Sequence, residues 1–157
     1  MKKLLLVLVI FAVITTGTAF AEFGIGVHGG YGGLGGGGGL NLAFSKVFIY
    51  IDAFGLGNNH MSLSGAVDFI SFIDDPIVDT LNWYIRLGIG AGLWGFDDKL
   101  SLAAAVRLPI GLSWKPIPLL EIFLQVNPQI GMRILPDLNL WGNFWGGNLG
   151  LRLWLGK

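Results

Sequence analysis

From Asn82 to Leu93 the chain alternates without a break. Trp83, Ile85, Leu87, Ile89, Ala91 and Leu93 are set against Asn82, Tyr84, Arg86, Gly88, Gly90 and Gly92. A period of two over this length belongs to an extended strand, whose successive side chains point to opposite faces. Three glycines in five positions also argue against a helix. The same period returns in Leu102, Ala104, Val106, Leu108, Ile110, Leu112 and Trp114, opposed by Ser101, Ala103, Ala105, Arg107, Pro109, Gly111 and Ser113. It returns again in Leu120, Ile122, Leu124 and Val126 against Glu121, Phe123, Gln125 and Asn127, and in Leu149, Leu151, Leu153 and Leu155 against Asn148, Gly150, Arg152 and Trp154.

Upstream, Val47, Ile49, Ile51 and Ala53 oppose Phe48, Tyr50, Asp52 and Phe54. Met61, Leu63, Val67 and Phe69 oppose Ser62, Ser64, Ala66, Asp68 and Ile70. The pattern is weakest in Phe23, Ile25 and Val27 against Gly24, Gly26 and His28, and in Leu40, Leu42 and Phe44 against Asn41, Ala43 and Ser45. This predicts eight strands and no helices to alternate with them. The predicted connections are the glycine run at Gly32 to Gly36, Ser45-Lys46, Gly57-Asn58-Asn59, Asp74-Asp75-Pro76 with Asp79, Asp97-Asp98-Lys99, Lys115-Pro116-Ile117-Pro118, and Pro136 to Gly142, all rich in turn formers or charge.

Alternation makes each strand two-faced without saying which face is inside. One face is continuously apolar; the other is Gly, Ala and Ser with some aromatics and a few charges of both signs. A water-facing sheet would need Lys, Glu and Thr there, and the chain is only 13% charged, against roughly 25% in ordinary soluble domains. Its mean hydropathy is +0.66. Small residues with opposed charges fit the interior of a narrow barrel whose apolar face meets lipid. Eight is the smallest usual number of strands for such a barrel. The charge-free stretch Phe23 to Ser45 contains 11 glycines and would not hold as a spanning helix. Trp83, Trp94, Trp114, Trp141, Trp145, Trp154, Phe44 and Phe69 fall near predicted strand ends, as aromatic girdles at the two membrane interfaces do.

Residues 1–21 read as an export address. Met1-Lys2-Lys3 is basic, Leu4 to Ile14 is apolar, and the segment closes on Ala19-Phe20-Ala21. The expected domain is then 22–157, outside the cytoplasm. With 10 basic and 10 acidic side chains there is no electrostatic footprint for nucleic acid. The absence of cysteine removes thiol, disulfide and zinc-thiolate chemistry.

This pattern resembles the small eight-stranded outer-membrane barrels typified by the OmpA membrane domain and OmpX, and more loosely small spirochaetal outer-membrane barrels. The last strand, Asn148 to Leu155, looks like the signal by which such barrels are recognised by insertion machinery, although the chain ends Trp154-Leu155-Gly156-Lys157 where the usual version ends on an aromatic residue. The resemblance implies an up-and-down antiparallel barrel in a bacterial outer membrane, with lipid as its surroundings.

Asp52, Asp68, Arg86, Arg107, Glu121 and Arg152 all fall on the non-lipid face, on six different strands. Ions in a narrow interior are costly unless paired, so equal numbers of acids and arginines predict an ion network across the lumen. It would act as a structural plug or, alternatively, as a gate in a narrow porin-like channel. Gly24-Ile25-Gly26-Val27-His28-Gly29 matches a dinucleotide fingerprint by spacing alone, with no helix to complete it. His60 with Ser62, Ser64 and Asp97 could imitate the rim of a lipid-modifying barrel enzyme, and His28 reads as a lumen residue. No catalytic, metal or cofactor site is expected. The expected role is structural or surface-interacting, with any extracellular ligand held by loops.

Overall fold

The computed structural model describes residues 22–32, 35–54, 60–96, 99–141 and 145–155. The expected export segment, 1–21, lies outside them, as do Gly57, Asn58, Asn59, Asp97, Asp98 and Gly142 from the predicted connections. Among the described residues every regular element is a strand: β1 (Phe23–Gly32), β2 (Gly35–Phe44), β3 (Val47–Phe54), β4 (His60–Val78), β5 (Leu81–Phe96), β6 (Lys99–Arg107), β7 (Ile110–Ile117), β8 (Leu120–Val126), β9 (Gln129–Leu135), β10 (Asn139–Trp141) and β11 (Gly147–Leu155).

These eleven segments make eight staves. β6 and β7 pair with β5 in one register, Gly88 opposite Arg107 and Ile85 opposite Ile110. They are two halves of a stave interrupted at Leu108-Pro109. β8 and β9 are likewise interrupted before Gln129, at Asn127-Pro128, and pair with β7 and β6 in one register. Proline has no N–H to give to a ladder, but its carbonyl still accepts. Arg86 N–H donates to the Pro109 carbonyl at 2.9 Å, and Leu108 N–H to that of Pro128 at 2.8 Å. β10 and β11 form the last stave against β9 and β8. β1 pairs with β2 on one side and β11 on the other, so the antiparallel sheet closes.

The stagger of the staves follows from the partners. From Trp83 on β5 the ladder leads through Leu112, Leu124, Leu149, Gly29, Gly38, Ala53 and Leu63, and returns to β5 at Leu93, ten residues further on. With eight staves that offset tilts the strands by about 40° from the axis. Ten residues of strand then rise about 25 Å along it, the height of a membrane barrel's apolar band.

The faces are divided as the alternation predicts. Ile25, Val27, Leu40, Ile51, Ile89, Val106, Leu124, Ile130 and Leu151 are exposed, whereas Asn41, Tyr50, Asp68, Tyr84, Glu121, Phe123 and Arg152 are buried. The contrast is sharpest within β11, where Leu149 is 58% exposed and Arg152 1%. An exterior of leucine, isoleucine and valine around an enclosed polar set is the inverse of a soluble domain.

Several sequence expectations are corrected. The glycine run is not a connection from Gly35 onward but the first half of β2, paired to β1 from Gly35 and to β3 as well from Gly38. Asp74, Asp75 and Pro76 lie inside β4, and only Asp79-Thr80 turns. β7 runs through Lys115 and Pro116 to Ile117, leaving Pro118-Leu119 as the turn. Lys99 opens β6, and Asn139–Trp141 is a strand. β9, with Ile130, Met132 and Ile134 outward, went unpredicted because Pro128 interrupts the alternation. Ile70 is not on the inner face: a register shift between Asp68 and Ile70 turns it outward. Ser45-Lys46 is a turn as expected, with Ser45 in the left-handed region (φ 55°).

The enclosed side chains as a candidate functional site

The inward side chains meet across the staves by a recurrent device. His28 on β1 and Asp52 on β3 are both Cα partners of Gly39 on β2, and with no side chain between them His28 Nε2 comes within 2.6 Å of Asp52 Oδ1. Asp68 on β4 and Arg107 on β6 are both partners of Gly88, and Arg107 Nε lies 3.1 Å from Asp68 Oδ1. Asn41 and Arg152 straddle Gly26, with Arg152 Nε donating to Asn41 Oδ1 at 2.8 Å. Tyr84 and Gln125 straddle Gly111, with the Tyr84 hydroxyl donating to Gln125 Oε1 at 2.8 Å. A Cβ added at any of these four glycines would fall on a straddling side chain or the adjacent backbone.

Glu121 and Arg152 need no such gap, because they are direct partners on β8 and β11. Arg152 Nη1 lies 2.9 Å from Glu121 Oε2. The same carboxylate accepts the Trp154 indole N–H at 2.6 Å and the Ser113 hydroxyl at 2.8 Å. The Arg152 guanidinium also lies 4.8 Å from the Phe123 ring and 4.9 Å from that of Phe48. Arg86 is held between Phe48 and Tyr84, 3.5 and 3.8 Å from their ring centres, as a desolvated cation over aromatic faces. Its acid is Asp74, at 3.6 Å, whose side chain is 46% exposed.

Of the six residues singled out from the sequence, Glu121 pairs with Arg152 and Asp68 with Arg107. Arg86 pairs with Asp74, which the sequence analysis had placed in a connection. Asp52 pairs with His28, which the sequence marks only as a lumen residue. Both omissions have one origin. Partnership across a barrel is set by ladder register: β4 runs on past Ile70, and because the shifts at Phe69 and Phe72 cancel in parity, Asp74, opposite Tyr84, lies on the same inner face as Asp68. The readable signal for His28 was a glycine on the intervening strand, and it becomes readable only once Gly39 is known to pair with both residues.

Two tryptophans leave the predicted girdles. Trp154 is buried in the interior, and Trp94 packs inward against Ala103 and Ala105. Trp114 and Trp145 are exposed on the outside. His60 is the first residue of β4, and Asp97 of the imitation rim cluster lies outside the described residues. The matched fingerprint Gly24 to Gly29 is strand β1, with His28 facing inward. Among the described residues no three His, Cys, Asp or Glu gather where they could hold a metal ion.

The fold defines a closed eight-stranded antiparallel β-barrel with an apolar exterior and an ion-paired interior. Among solved structures, the chain is similar to Neisserial surface protein A, with a TM-score of 0.37 and 12% identity, over 87% of this chain and 96% of that one. No protein-family model and no curated protein sequence matches the chain.

Proposed function

We propose that this chain is a bacterial outer-membrane barrel, exported by means of residues 1–21 and inserted as the single domain 22–157, that acts as a structural or surface-interaction protein with a closed lumen. The observation that carries the reading is the inversion of the wall: exposed Leu, Ile and Val on every stave, and arginines and acids enclosed in pairs. In lipid an open sheet edge is costly, and ladder closure between β1 and β11 removes it around the circuit that runs from Trp83 to Leu93. Enclosed Tyr50, Tyr84, Phe123 and Arg152 occupy the interior, through which a pore would have to pass. Lipid would surround the wall, insertion machinery would act on β11, and any extracellular ligand would meet the connections.

The test is twofold. Protein from outer-membrane fractions should migrate differently on a gel before and after boiling, and in planar bilayers it should leave the membrane's conductance unchanged. Identical migration would overturn the barrel-in-membrane reading. Steady unit conductance that changes in Arg86→Ala or Arg107→Ala would replace the plug with the narrow channel.

A further inference from the structure

On its β3 side, β4 is paired only up to Asp68, next to Phe48, whereas on its β5 side the ladder continues to Val78. Phe69 to Val78 therefore presents, among the described residues, a row of backbone groups with no ladder partner. Most of its outward side chains are apolar and open: Phe72 is 60% exposed, and Ile70, Ile77 and Val78 are exposed as well. A flat edge of this kind is a template on which another chain can add a strand. This edge is not flat. Three of the five register shifts among the described residues fall within it, leaving Phe69, Phe72 and Ile77 without partners on β5. Pro76 removes a donor, and exposed Asp75 stands opposite Trp83 with no cation beside it among the described residues.

Each feature opposes a regular ladder by a different route. Bulges break the spacing of donors and acceptors, proline deletes a donor, and a charge must be desolvated to be covered. We infer that Phe69 to Val78 is a guarded edge, in which the bulges, Pro76 and Asp75 keep a second copy of this chain from adding a strand to the barrel. Despite these interruptions β4 stays paired with β5 as far as Val78, while unguarded apolar edges invite association during refolding.

The experiment is Asp75→Val/Pro76→Val, refolded in detergent and sized by light scattering, with Asp79→Val in the turn as the charge control. The double variant should raise the oligomeric fraction at least tenfold over wild type, and Asp79→Val should not. The chain has no cysteine, so the contact can be trapped: Ile73→Cys in the double variant should form a disulfide dimer, and Leu151→Cys on the far wall should not. Where the double variant fails to fold, Asp75→Thr keeps Pro76 and should show a smaller rise. Monomeric behaviour of the folded variants, equal association of Asp79→Val, or equal trapping at Leu151→Cys would each overturn the inference.

Discussion

His28 and Asp52 stand two strands apart, both opposite Gly39, and their side chains meet at 2.6 Å above it. Asp68 and Arg107 do the same over Gly88, Asn41 and Arg152 over Gly26, and Tyr84 and Gln125 over Gly111. The interior of this barrel is thus cross-linked between alternate staves, and glycine on the stave between is what brings the partners within reach.

Gly39→Ala and Gly88→Ala should therefore each destabilise the barrel by about 1–3 kcal/mol, the usual range for overpacking. Gly38→Ala, one residue away but facing outward with only the His28 carbonyl oxygen at 3.8 Å from an added Cβ, should be neutral within about 0.5 kcal/mol. Urea unfolding in detergent micelles measures the difference. Equal effects at 38 and 39 would remove the straddling account.

Glu121→Leu leaves Arg152 buried without its acid and should cost about 3–5 kcal/mol. Adding Arg152→Met removes the orphaned charge and should recover most of that loss. A double-mutant cycle on the folded fraction reads it. Additive losses would mean that the two side chains act independently.

Arg107→Ala and Arg86→Ala should differ. The first abandons Asp68, which is wholly buried; the second abandons Asp74, which is half in solvent and keeps the Asn82 amide at 3.3 Å. A buried, unpaired carboxylate costs more than a solvated one, so Arg107→Ala should lower the unfolding midpoint further. The reverse ranking would mean that the aromatic sandwich of Arg86 outweighs its ion pair.

Tryptophan quenching checks the faces directly. In vesicles with brominated acyl chains, a variant retaining only Trp114, exposed on the wall, should be strongly quenched. One retaining only Trp154, enclosed beside Glu121, should be quenched little. Comparable quenching would contradict the assignment of sides.

Strand existence and facing were legible wherever the alternation ran unbroken, as from Trp83 to Leu93 and from Leu149 to Leu155. They were lost where a backbone feature resets the parity. The shift at Phe69 turns Ile70 outward, and Pro128 hides β9. The glycines of β2 carried no period, because a residue without a side chain has no face to report. Trp154 was misjudged for a related reason: a terminal tryptophan satisfies both an interfacial girdle and an interior hydrogen bond, and its partner Glu121 is 33 residues away in the chain.

By itself the sequence determined the inversion of this protein, because the order of apolar and polar residues along one strand fixes two faces, and the scarcity of charge decides which can meet water. The pairing of the enclosed ions was decided only by the tertiary structure. Which arginine finds which acid depends on register accumulated around the closed sheet, ten residues per circuit, and on where a missing side chain opens a path between alternate staves.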